Sequence, residues 1–143
     1  NVHQLKAKLL AAFDQSADGQ RVQIAVESFG FKHGLPLGAD LVFDVRFLPN
    51  PHFIPALRPQ TGRDRPVAEF LEKQAAAGQL LKRLTSLLKF LVPQYIAEGK
   101  SYLTVAIGCT GGQHRSVYFA EWLGQSFRDQ ARVLIRHRTL AGG

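Results

Sequence analysis

Residues 108–116 read GCTGGQHRS. The residue types and their spacing admit two chemistries. In the first, Gly108, Gly111 and Gly112 let the backbone curl, with positive φ open to them. Successive N–H groups then turn inward as an anion nest. A helix starting near Arg115 adds the partial positive charge of its N-terminus. Thr110 and Ser116 supply hydroxyls, Gln113 and His114 polar side chains, and Arg115 a planar fork matched to phosphate. In the second, the same residues form the Cys-x5-Arg-Ser loop of a cysteine phosphatase, with Cys109 as thiolate nucleophile. That reaction needs a general acid for the leaving oxygen. Asp44 is the acid near enough to serve, but its place at a strand end next to Arg46 also fits a plain salt bridge. Gly108 stands where many such enzymes carry histidine. The parts present favour an anion cradle over a catalyst.

His33, His52 and His114 raise a third chemistry, metal ligation. With one cysteine and no His-x3-His spacing, no metal site is expected. His137, set among Arg132, Arg136 and Arg138, reads as part of a basic edge.

The elements that must hold these residues follow from periodicity. VHQLKAKLLAAF places Val2, Leu5, Leu9 and Phe13 at helical spacing, and Gly19 lies in the polar break that follows. RVQIAVESFG alternates as a strand, and LVFDVRF is a short apolar strand. Five prolines between residues 48 and 66 exclude a continuous helix or a central strand there. Two helical stretches come next. Asp64 caps the first, with Pro66 in its opening turn. Leu80, Leu84, Leu87, Leu88 and Leu91 form the apolar stripe of the second, with Lys82, Arg83 and Lys89 on its other face, and Pro93 should bend or end it. SYLTVAIG is a third strand, 115–127 a helix and ARVLIRHR a fourth strand, with the final AGG frayed.

Strands separated by helices predict a single α/β domain over 1–143, its sheet mostly parallel and flanked by helices, with the glycine loop between a strand and a helix N-terminus. Ligands of such sheets collect beyond the carboxyl ends of the strands. The loops after the first three strands carry Lys32, His33, Arg46, Asn50, His52, His114 and Arg115. A parallel sheet would gather them in one crevice.

The chain has 143 residues, 45% of them hydrophobic, enough for one core at this length. No stretch approaches the ~18 consecutive apolar residues of a membrane span, and no charged-then-apolar leader is visible. One cysteine allows no internal disulfide and fits a reducing cytoplasm. There is no methionine, which suggests a piece of a longer protein. The net charge of +7 and pI near 10.0 point to an anionic partner such as nucleic acid or phosphorylated metabolites.

FGFKHGLPLGADLVFDVRFLPNPH, followed by GCTGGQHRSVYFAEWL and the tail RVLIRHRTL, resembles the RapZ/YvcJ family of RNase adapter proteins. Members of that family carry an N-terminal nucleotide-binding domain with Walker motifs. No G-x4-G-K-[ST] occurs here, so the resemblance is to the C-terminal domain alone. It implies a sensor and RNA-binding module without enzymatic activity or cofactor, which recognises glucosamine-6-phosphate or a similar phosphosugar, binds a small regulatory RNA, presents it to an endoribonuclease and forms a homo-oligomer. On these positions, the pocket would use Asp44, Arg46, His52 and the loop from Cys109 to Arg115, with Asp44 suited to a protonated amine. Lys32, His33, Arg58 and Arg132 match positions that would face RNA, and the net positive charge adds Arg128, Arg136 and Arg138 as phosphate contacts, with Arg115 in the pocket also available. The basic C-terminal extension of enteric members is absent, since the chain stops at TLAGG.

Overall fold

The computed structural model describes residues 22–140. The helix expected over 2–13 and the frayed AGG lie outside these residues. Four strands form one sheet: β1 (Gln23–Gly30), β2 (Leu41–Asp44), β3 (Tyr102–Cys109) and β4 (Arg132–His137), in the order β2-β3-β1-β4. Every pairing is parallel, with Gly30 opposite Cys109, Asp44 opposite Gly108 and Ser28 opposite His137. All four strands therefore end at the same edge. After β1 the chain leaves toward β2, and after β3 it leaves toward β4. The chain from β1 therefore passes β3 to reach β2, and the loops that leave β1 and β3 stay together at this edge, where Lys32 N donates to the Thr110 carbonyl (3.2 Å).

Among the described residues three helices flank the sheet: α1 (Arg65–Glu72), α2 (Ala75–Glu98) and α3 (Arg115–Ser126). Every second residue of β1 and β3, namely Ile24, Val26, Leu103, Val105 and Ile107, meets Leu81, Leu84, Leu88 and Val92 of α2 and Phe119 and Leu123 of α3 in one core. Burying each of these larger side chains favours folding by about 1.5–3 kcal/mol. Lys82, Arg83 and Lys89 are exposed, as the helical period requires. Leu87, placed on the apolar stripe by its spacing, is 40% exposed, because the face in contact runs through Ala77, Leu81, Leu84, Leu88 and Val92.

Pro93 neither ends nor interrupts α2, which continues to Glu98 and closes at Gly99 with φ 105°. A proline removes only one backbone hydrogen bond. Here Val92 and Pro93 are themselves buried, and Tyr95 and Ile96 carry the packed face onward. Asp64 occupies the N-cap position of α1, but its carboxylate accepts from Thr61 N (2.8 Å) and caps no helical N–H. The proline-rich segment forms turns, including a one-turn 3-10 helix at Pro51–Phe53.

Candidate anion-binding site

The loops that leave β1, β2 and β3 and the segment after β4 meet around a cavity of about 550 Å³. Lys32 and His33 reach it from a 3-10 turn following β1. Asn50, His52 and Phe53 reach it from the turn after β2. There the Asn50 side chain accepts from His52 N (3.1 Å), and Arg58 Nε donates to the carbonyl of His52 (2.7 Å). Cys109, Thr110, Gly111, Gln113, His114 and Arg115 come from the glycine loop, and Thr139 from beyond β4. No aspartate or glutamate lines the cavity among the described residues.

The glycine loop is shaped from beneath. Of its three glycines only Gly112 has positive φ, 76°, and a Cβ there would lie 2.2 Å from Thr139 Oγ1. Thr139 instead donates its hydroxyl to the Gly112 carbonyl (2.9 Å), tying the end of β4 to the loop. Among the described residues, no backbone hydrogen bond of the loop uses the N–H of Gly111, Gly112 or Gln113. His114, at the N-cap of α3, makes no side-chain cap bond. Unpaired donors at a helix N-terminus suit an anion.

Gln113 and His114 fasten the loop to the chain before α1. Gln113 Nε2 donates to the carbonyls of Arg58 and Gln60, and Gly62 N to the Gln113 carbonyl. His114 Nε2 lies 3.1 and 3.2 Å from the carbonyls of Leu57 and Arg58. A carbonyl can only accept, so this nitrogen carries the proton. Burial pushes His114 below the ordinary imidazole value, against the pull of those carbonyls.

Arg115, the planar fork at the start of α3, is set below the surface. It is 3% exposed. One guanidinium nitrogen donates to the carbonyls of Arg46 (2.8 Å) and Leu48 (2.9 Å), and the other reaches Thr110 Oγ1 at 3.4 Å. Nε is buried without a partner, and no carboxylate forms an ion pair with this arginine among the described residues. It is neither free nor in a surface salt bridge. It is a buried cation held by neutral oxygens beside an anion-sized space.

Cys109 is buried, with Sγ 3.1 Å from Ser116 Oγ and 3.4 Å from Ser116 N. Ser116 is wholly buried, so its hydroxyl serves the sulfur and does not line the cavity. Asp44 and Arg46 also stand apart from the cavity. They bond each other through four contacts, the shortest 2.6 Å, and the Arg46 guanidinium lies 3.8 Å over the Phe31 ring. Arg46 holds the Asp44 carboxyl below the usual range, which makes it a poor proton donor.

The residues expected to meet RNA fall into two groups. Lys32 and His33 line the cavity, and Arg58 is anchored beneath it. Arg128, Arg132, Arg136 and Arg138 lie after α3 and along β4, all exposed, with Arg138 3.3 Å from Glu27. His137 is not part of this edge. Its side chain is fully buried, with Nδ1 2.7 Å from Ser28 Oγ and Nε2 2.6 Å from Glu121. Among the described residues, no cluster of three or more His, Cys, Asp or Glu could hold a metal ion, and no helix is long and apolar enough to cross a membrane.

Phe53 and Thr139 line the cavity without having been expected there. Thr139 was findable, because the rule that collected three loops at the carboxyl edge applies equally to the fourth strand. Phe53 adjoins His52 in a loop already implicated, but an exposed aromatic in a proline-rich stretch carries no signal of its own.

The model of the family described as the RapZ C-terminal domain matches residues 22–141. A "nucleotide-binding protein" of Dechloromonas aromatica is 55% identical over 130 residues, covering 91% of this chain and 46% of that protein. Another of the same name, from Desulforudis audaxviator, is 50% identical over 141 residues, covering 98% and 48%. The chain thus spans about half the length of these curated relatives. With its glycine loop, its all-parallel sheet and this match over nearly every described residue, the chain belongs to the RapZ C-terminal domain family.

Proposed function

We propose that this chain is the ligand-sensing and RNA-binding part of an RNase adapter. In this reading the crevice takes the phosphate of glucosamine-6-phosphate or a similar phosphosugar. The basic surface takes a small regulatory RNA for delivery to an endoribonuclease, in a self-associating cytoplasmic protein. The observation that carries the reading is Arg115. A buried cation without a counter-ion costs several kcal/mol unless something compensates it. An arriving phosphate would supply that charge and would also accept from the unpaired loop N–H groups. Lys32, His33 and His52 add donors around it. Asp44 is tied to Arg46 outside the cavity, so the phosphate, and not the amine, is the part of the ligand that the cavity addresses.

The phosphatase reading shares Cys109 and Arg115 but lacks an acid. Asp44 is held ionised away from the cavity, and among the described residues no other carboxylate lines it. The reading favoured here is binding without turnover. A filter-binding titration of a structured RNA, with and without glucosamine-6-phosphate, tests this. Competition is expected and must be reciprocal. A sugar phosphate that binds but leaves RNA affinity unchanged would place RNA on the β4 edge alone. Cys109→Ser should retain sugar-phosphate binding, and the unaltered chain should not hydrolyse p-nitrophenyl phosphate. Hydrolysis abolished by that substitution would restore the phosphatase.

A further inference from the structure

Phe53 lines the cavity and yet is 75% exposed. Among the described residues it is the only Phe, Tyr or Trp that lines the cavity. Its backbone is held in place: Pro51 starts the turn, Phe53 N donates to the Asn50 carbonyl (3.1 Å), and Arg58 grips the preceding carbonyl. The His52 ring meets it edge-on, with centroids 5.7 Å apart and planes at 80°. With 75% of the residue exposed, ring surface is open to a ligand while the backbone beneath it is fixed. A hydrophobic ring on a rigid turn beside a cationic cavity is how proteins that bind single-stranded nucleic acid hold a base next to its phosphate.

The phosphate end of the cavity adds a second constraint. Arg115 lies below the surface, and its guanidinium reaches Thr110 Oγ1 of the glycine loop at 3.4 Å. A phosphomonoester presents three free oxygens and up to two charges. An internal phosphodiester presents two oxygens and one charge, with chain leaving on both sides. The cavity volume is within the range that encloses a ligand of nucleotide size.

We propose that the cavity takes a nucleotide phosphomonoester, with its phosphate on the 110–115 loop and Arg115 and its base stacked on Phe53. The unit has two sources, the phosphorylated end of an RNA strand or a free mononucleotide. The proposal rests on the phosphate site argued above and adds the residue that selects a base over a bare sugar.

Calorimetry on the 143-residue chain with AMP, ribose 5-phosphate and inorganic phosphate tests it. AMP should bind about tenfold tighter than ribose 5-phosphate, the lower part of the range for one stacked base. Phe53→Leu should close that gap and leave ribose 5-phosphate unchanged, while Phe53→Trp should keep it. Equal affinities in the unaltered chain, or a gap that survives Phe53→Leu, would overturn the platform and leave the phosphate site standing. If neither inorganic phosphate nor ribose 5-phosphate binds, the phosphate site falls and the platform with it. A 5′-phosphorylated tetraribonucleotide that matches AMP identifies a strand end as the source, and one that binds far more weakly identifies the free nucleotide. A 5′-hydroxyl tetraribonucleotide that binds as well as AMP would overturn the requirement for a terminal phosphate.

Discussion

Arg115 and the arginines of β4 carry the same charge in opposite surroundings. Arg115 is buried, bonded to carbonyl oxygens and, among the described residues, without a directly paired carboxylate, whereas Arg132 and Arg136 stand exposed on an edge strand. An exposed guanidinium is solvated and screened, and binds any polyanion weakly and with strong salt dependence. A buried one has surrendered its water and is satisfied fully only by an anion that enters to meet it. The net charge of +7 counts both kinds alike, although one would recognise a ligand and the other attract a strand.

The largest separation of the two should come from Arg115→Ala. It should weaken glucosamine-6-phosphate by about 30-fold or more, in line with truncation of a buried charged hydrogen-bonding partner. Calorimetry giving the same affinity for the variant would break the distinction. Gly112→Ala comes next, because it combines a left-handed backbone with the collision against Thr139. It should lower unfolding free energy by about 1–3 kcal/mol in denaturant titration and weaken phosphate binding as well. A full-stability variant would mean that the loop tolerates another path. On the β4 side, replacing Arg132 and Arg136 by Gln should reduce the log–log salt slope of single-stranded RNA binding by about 0.7 per residue. Sugar-phosphate affinity should stay the same. A slope unchanged by both substitutions would take RNA off this edge.

The smallest effect concerns pH. His114 is depressed by burial, so the unfolded chain binds its proton more readily than the folded one. Its contribution to stability is present above the ordinary imidazole value of 6.5 and is lost as pH falls from there through the lower folded value. Melting temperatures between pH 7 and 5 should decline, and His114→Gln should flatten part of that decline. An identical decline in the variant would assign the effect to another group.

The parallel sheet and its crevice were legible because alternation in β1 and β3 and the glycine loop between strand and helix are local signals. Parallel pairing then gathers loops by necessity. Pro93 does not end its helix, because packing on both sides outweighs a local helix breaker. The fates of Arg115 and His137 depended on partners 67 to 109 residues away, at Leu48 and Ser28. No spacing rule reports such distances. Composition likewise grouped His137 with its arginine neighbours, although alternation along β4 turns it inward while Arg132 and Arg136 face out.

The hydroxyl of Thr139 joined to Gly112 has a kinetic consequence. Lys32 stands near the start of the described chain and Thr139 at its end, so the cavity is complete only when the last strand has docked beside the first. Such distant pairings form late and slowly. A phosphate ligand would find no site on a partly folded chain and would act on the finished fold, slowing its unfolding more than hastening its formation. Stopped-flow refolding with and without ligand would then show one refolding rate and two unfolding rates.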